Sequence, residues 1–162
     1  MKATTILKTL LILCIGFTFS CSNDDEAGTS EAEFTSIPEG TMSMEFNGGT
    51  WASDQISGFS SFSVATITVT GGIDLLFLVV ENTVVGEYPI TADSQTSITY
   101  RTLTGLEDFS TDARAGASGI LNILEKDEVN NTISGTFSGT LMDEDGESRS
   151  ITNGLFNKIP LD

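Results

Sequence analysis

The chain of 162 residues contains no histidine, only 7 Lys or Arg against 23 Asp or Glu, 2 cysteines, 3 prolines and 1 tryptophan. Each shortage excludes something. Without histidine there is no Ser-His-Asp or Cys-His catalytic group, no His-ligated zinc or haem, and no imidazole to change charge near neutral pH. A formal charge of −16 leaves no basic surface for phosphate contacts, so nucleic acid is not an expected partner. What is present suffices for one modest domain. Hydrophobic residues make up 39% and charged residues 19%, and acidity alone does not make such a chain disordered.

At the N-terminus, Met1-Lys2 and Lys8 precede an uncharged stretch from Thr9 to Ser20 dominated by Leu, Ile and Phe. That is a charged n-region followed by an apolar h-region. The uncharged run reaches only Asn23 and ends in polar residues, short of the roughly 20 apolar residues that a membrane span requires. Residues 1–20 are therefore read as a cleaved signal peptide. Thr18-Phe19-Ser20-Cys21 resembles the lipobox of bacterial lipoproteins, in which a small residue precedes a Cys that is acylated and becomes the mature N-terminus. Thr18 stands where that family most often has Leu. The resemblance implies lipidation of Cys21 and loss of Cys14, which would leave no thiol for a disulfide. Acyl chains, at about 0.8 kcal/mol per buried CH₂, would then anchor the protein to a membrane without a spanning segment.

Residues 21–40 have the composition of a tether. Six acids (Asp24, Asp25, Glu26, Glu31, Glu33 and Glu39) accompany only two sizeable hydrophobes, Phe34 and Ile37, a polar and self-repelling pattern. The run Ser22-Asn23-Asp24-Asp25-Glu26 resembles the export signal that sends Bacteroidetes lipoproteins to the outer face of the outer membrane. Removing Lys2 and Lys8 with the leader leaves 5 basic residues against 23 acidic, a net charge of −18.

From residue 41 to residue 162 the hydrophobic pattern has period two, with turn residues between the runs. Met42, Met44 and Phe46 alternate with polar residues, Asn47-Gly48-Gly49 supplies a turn needing positive φ, and Thr50-Trp51-Ala52 returns. Residues 62–70 alternate, and Gly71-Gly72 turns the chain into 73–81, where Leu75 to Val80 is apolar on both faces. That run predicts a central strand covered on both sides. Gly86 to Ile90 reads as a short strand whose Pro89 places it at an edge or a bulge. Strands are also expected over 97–103, 117–125, 132–142 and 148–157, with 107–114 as the longest irregular loop. Nine segments without a helical pattern make an all-β domain, an antiparallel meander of eight or nine strands forming a sandwich or a barrel.

Ile133-Ser134-Gly135-Thr136-Phe137 and Ile151-Thr152-Asn153-Gly154-Leu155-Phe156, together with Asn47, Gly48, Trp51, Gly86 and Tyr88, resemble a group of small Bacteroidetes lipoproteins that carry a C-terminal domain of unknown function. The resemblance implies a secreted, lipid-anchored, all-β domain with no established enzymatic activity.

Candidate site residues are few. Gly49-Thr50-Trp51 matches the Gly-x-Trp that opens lipocalin barrels, which makes Trp51 a candidate contact for a small apolar ligand. Tyr88, Tyr100 and Arg101 could stack on and hydrogen-bond to a glycan, and the Ser/Thr row over 132–140 could form a hydroxyl-rich face. The acidic turn from Leu141 to Glu147 fails as an EF-hand, because aligning Gly146 puts Leu141 at the first ligand position. Asp143 and Asp145 remain as candidates for an irregular calcium site. Paired carboxylates could serve glycoside hydrolysis, but nothing in the spacing brings two together across a cleft. No catalytic residue and no cofactor is expected. The function expected is a non-enzymatic binding or envelope-interaction domain at the cell surface, anchored to the outer membrane through Cys21. A lipocalin-like carrier and a carboxylate-based glycosidase are the alternatives.

Overall fold

Alternation of small or apolar residues with Ser and Thr produces strands throughout the domain. The computed structural model describes residues 36–61, 64–72, 74–112 and 114–162. The signal peptide, Cys21 and most of the tether segment lie outside the described residues. Among those described there is no helix and there are eleven strands. The first pair, β1 (Thr41–Phe46) and β2 (Gly49–Ser53), is joined through Asn47 and Gly48 at φ of 49° and 79°, the mirror-image turn that Asn-Gly favours. An antiparallel run follows: β3 (Ile56–Ser61), β4 (Val64–Gly71) and β5 (Asp74–Val80). Next come β6 (Gly86–Ile90), β7 (Ser97–Thr102) and β8 (Asp108–Ser110), and the last meander is β9 (Ser118–Asp127), β10 (Thr132–Met142) and β11 (Ser148–Pro160).

These strands form one sheet in the order β2-β1-β11-β10-β8-β7-β5-β4-β3, with β9 also on β10 and β6 on β9. The two ends of that order, β2 and β3, are consecutive in the chain, so the sheet nearly closes into a barrel. Two sets of bonds draw the seam together. On one edge, Ser53 Oγ donates to the Thr70 carbonyl at 2.6 Å and the Thr70 N–H donates to the Gln55 carbonyl at 3.0 Å. On the other, Gly58 pairs in parallel with Leu161, and the Asp162 N–H donates to the Gly58 carbonyl at 3.1 Å. Only glycine fits there, because a Cβ on Gly58 would lie 2.9 Å from the Leu161 side chain and against the Pro160 carbonyl.

The interior is filled by inward residues from every long strand, including Met42, Ile67, Leu78, Ile98, Ile123 and Ile159. Its densest part is the β10–β11 ladder. Gly135 faces Phe156 across the ladder and Phe137 faces Gly154, so each ring covers a glycine, and the two rings lie 6.4 Å apart. The register shifts in β11 near Asn153 and Lys158, which take φ of 51° and 48°. Such bulges bend a strand and increase its twist, which a closing sheet requires.

The all-β expectation and the Asn-Gly hairpin are found as read, and the sheet is barrel-like rather than a sandwich. Pro89 also fits its strand: β6 pairs only with β9 among the described residues. Three expectations are corrected. There are eleven strands, because β3 was concealed by its composition, Ile-Ser-Gly-Phe-Ser-Ser, and β8 is three residues at the start of the expected irregular loop. The third concerns β5. Leu76, Leu78 and Val80 are buried, but Leu75, Phe77 and Val79 are only partly covered. A barrel wall has one protein face, so the run is apolar on both sides without being covered on both.

The reciprocal Phe–Gly pairs generate the first prediction. Gly154→Ala would place a methyl 2.8 Å from the Phe137 ring and is expected to cost about 1–3 kcal/mol through overpacking. Phe137→Ala should cost about 3–5 kcal/mol by opening a cavity. Urea unfolding of both variants checks this, and a Gly154→Ala protein as stable as wild type would refute the packing account.

Candidate functional site at the hairpin end

Four connections meet at one end of the barrel: β1–β2, β4–β5, β7–β8 and β10–β11. Here aromatic residues from four strands come together: Phe46 of β1, Trp51 of β2, Tyr100 of β7 and Phe109 of β8. Phe46, at the end of β1, stacks on Tyr100 of β7 with ring centroids 4.3 Å apart. Tyr100 sits between its ladder partners Leu76 and Phe109. Trp51 pairs with Met44 across the hairpin and so shares the inward face with Phe46. Its indole packs on Gly71, where a Cβ would lie 2.6 Å from Nε1. Glycine at position 71 is therefore what lets the barrel end close over the only tryptophan.

Charged groups ring these aromatics. The Arg149 guanidinium lies 4.5 Å above the Phe109 ring, a cation–π contact, and 3.8 Å from the Glu107 carboxylate. Burial first, then the neighbouring Asp74 carboxylate and the negative charge of Glu107, push the Tyr100 phenol well above the usual value of 10.0. Arg114 donates to the Met142 carbonyl at 2.9 Å and to the Asp108 carbonyl at 3.3 Å, tying the chain after β8 to the end of β10. All the arginines of the sequence, Arg101, Arg114 and Arg149, are gathered at this end.

The sequence-derived candidates separate. Trp51 and Tyr100 come to the same barrel end. Arg101 follows Tyr100 in β7 and therefore points outward, where it pairs with Asp108 at 2.6 Å with both side chains substantially exposed; such a pair contributes about 0–1 kcal/mol. Tyr88 belongs to β6 and donates its hydroxyl to the Val84 carbonyl at 2.6 Å. Burial, and to a lesser degree Glu81, push its phenol up.

Asp143 is a turn cap, its Oδ1 accepting the N–H groups of Asp145 at 3.0 Å and Glu147 at 2.7 Å. No cluster of three or more acidic, Cys or His side chains able to hold a metal occurs among the described residues. Cys21 lies outside them. Of the expected hydroxyl face, Thr136, Ser138 and Thr140 point outward and line two adjoining shallow depressions of about 400 and 170 Å³ across β9, β10 and β11, whereas Ser134 is buried, its Oγ accepting the Lys158 N–H at 3.0 Å where β11 bulges. Sequence reasoning missed Phe46, Asp74, Phe109 and Arg149 as members of the cluster. Phe46 carried a signal, since it continues the inward series of Met42 and Met44; Arg149 carried none.

Residues 39–160 match the model of a family described as a domain of unknown function, DUF6252. The chain belongs to this family. No curated protein and no solved structure matches it. The match spans the DUF6252 barrel from the residues before β1 to the end of β11. Within the DUF6252 domain, Asn47, Gly48, Gly135, Phe137, Asn153, Gly154 and Phe156 all serve turns, bulges or the Phe–Gly pairs. They build the fold rather than a site.

Both tyrosines of the chain are held neutral, which gives the second prediction. An unfolded phenol ionises near pH 10 while the folded Tyr100 resists, so its contribution to stability is complete below that pH and is lost as pH rises further. Ultraviolet titration of the folded protein should therefore show less phenolate at pH 10 than the unfolded chain does, with Tyr100 still neutral. Asp74→Asn should bring one of the two transitions down, and no movement on that substitution would disprove the Asp74 coupling.

Proposed function

We infer that this chain is a lipid-anchored, non-enzymatic domain of the outer membrane that presents its hairpin end to the cell exterior for binding. The observation that carries this reading is the polarity of the barrel. The chain enters at the end opposite the aromatic cluster, where Asn157 Nδ2 donates to the Ile37 carbonyl at 2.8 Å, the Gly40 N–H donates to the Asn157 carbonyl at 2.7 Å, and Lys158 pairs with Glu39. The six residues of β1 separate the two ends by roughly 20 Å. A lipid on Cys21 would join the barrel at the entry end through the acidic segment, which leaves the hairpin end clear of the attachment.

Two features support a binding role over hydrolysis. Carboxylate-based glycoside hydrolysis uses a carboxyl whose surroundings raise its pKa. Every buried polar side chain among the described residues is a hydroxyl or an amide, and no Asp or Glu is buried. The hairpin end instead offers aromatic rings, Arg149 and carboxylates, chemistry suited to a glycan, a small apolar ligand or an envelope protein.

Mass spectrometry of the mature N-terminus should find acylated Cys21, and Cys21→Ser should release the protein from the membrane fraction. Protease added to intact cells should remove the domain. An unmodified Cys21 or cleavage elsewhere would overturn the anchor, and complete protection would overturn the external orientation.

A second reading, a carrier of a small apolar ligand, is favoured by the near closure of the sheet with Trp51 at one end. Because side chains fill the barrel axis, the ligand would sit over Phe46, Trp51 and Tyr100 rather than along the axis. Trp51 is the only tryptophan and reports directly on occupancy. Titration with a medium-chain fatty acid should shift and saturate its fluorescence, and an unchanged spectrum would remove the carrier reading for that ligand class.

A further inference from the structure

Where the chain enters the barrel, a groove of about 360 Å³ lies between the entering segment and the outward face of the β1–β2 hairpin. Ile37 and Pro38 line it on one side, and the cross-strand pair Ser43 and Ala52 lines it on the other. Met42 and Met44 of β1 point inward, so Ser43 and its partner Ala52 point outward. Both are small, which leaves room above the hairpin, and the surface of the groove is mainly apolar. Its outer side is fixed in place. Asn157 Nδ2 donates to the Ile37 carbonyl at 2.8 Å, the Thr41 hydroxyl donates to the Pro38 carbonyl at 2.7 Å, and Lys158 pairs with Glu39.

We propose that the side chain of Phe34, which lies outside the described residues, docks in this groove and clips the tether to the barrel. The occupant follows from composition and reach. From Ser22 to Ser36, Phe34 is the only large apolar side chain, set among Glu31, Glu33, Thr35 and Ser36. Left in water, it would keep its apolar area exposed beside a groove that can cover it. Phe34 precedes Ile37 by three residues, which span at most about 10 Å, and Ile37 itself lines the groove. A group held on so short a connection has an effective concentration on the order of millimolar or above. A free apolar ligand or a second copy must therefore bind better than Phe34 to displace it. The clip does not depend on lipidation of Cys21; with a lipid there, it would confine the free tether to residues 22–33.

Chymotrypsin, which cuts after Phe, tests this on the full chain in detergent. Cleavage after Phe34 should be about tenfold slower in wild type than in Ala52→Arg, whose long side chain fills the groove from an exposed, outward position. A glutamyl endopeptidase should cut after Glu26 at the same rate in both. The Ala52 methyl resonance should also move on Phe34→Ser, a substitution in the tether that leaves the contacts within the barrel as they are, and the movement should not depend on protein concentration. Equal cleavage after Phe34 in wild type and Ala52→Arg would overturn the proposal. So would an Ala52 methyl that ignores Phe34→Ser, which would leave the groove to a separate ligand. A response confined to concentrated solution would overturn it too, by assigning the groove to Phe34 of a second copy.

Discussion

Two phenylalanines lie over two glycines across one pair of strands, and the closure of the sheet depends on that exchange of bulk. On β10 and β11 the pairs Gly135–Phe156 and Phe137–Gly154 alternate, so the rings occupy space that neither glycine fills and the ladder keeps its ordinary spacing. A Cβ on Gly135 would meet the Asn122 carbonyl oxygen first and then the Phe156 ring at 2.7 Å, and one on Gly154 would meet the Phe137 carbonyl oxygen first and then the Phe137 ring at 2.8 Å. The rest of the sheet is attached to this pair. β1 and β2 extend from β11, while β8 and β9 share the other edge of β10 and lead to β7 and β6. The bulges near Asn153 and Lys158 turn β11 so that it can pair with β1 and still reach Gly58 at the seam.

Most of this architecture was legible because its causes are local. Period-two alternation marks one buried face wherever both strand neighbours are present, as in β4 and β10, and Asn47-Gly48 specifies its turn by needing positive φ twice. Closure was less legible because its causes lie far apart in sequence. Gly58 is inward and small on account of Leu161, a contact across more than a hundred residues. The strand around it therefore shows Ser and Gly where a strand pattern would show hydrophobes. The β5 run misled for a related reason: continuous apolarity signals a buried strand only if something packs on each face, and sequence reports the residue types but not the number of layers.

For the candidate site the division is sharper. Trp51 was a candidate contact for an apolar ligand and Tyr100 a candidate for stacking on a glycan, and the fold brings them to one end. Arg101 was grouped with Tyr100 by adjacency, yet adjacency in a strand guarantees opposite faces. Phe109 and Arg149 come from β8 and β11, and only the pairing of β7 with β8 and the hairpin joining β10 to β11 place them beside Tyr100. Asn47, Gly48, Gly135, Phe137, Asn153, Gly154 and Phe156 explain the fold and not the site, because each answers to a steric condition of the backbone or of a neighbouring ring.

Charge is divided in the same way. Outward strand positions carry mostly Ser and Thr, which suit a pleated surface, and many carboxylates sit in turns where they accept otherwise free N–H groups. Asp143 takes those of Asp145 and Glu147, and Asp127 takes those of Val129 and Asn130. Bonds from the Asn130 side chain and backbone, then from Val129, hold the Asp127 carboxyl below its ordinary range. An acid used this way is committed to its charged form and is a poor proton donor. Other carboxylates lie within strands, among them Glu45 of β1, Glu87 of β6 and Glu125 of β9, and at the hairpin end Arg149 and Glu107 offset one another beside the aromatic rings. A protein built on this plan can be strongly acidic as a whole while many of its charges are placed where the backbone, rather than a ligand, requires them.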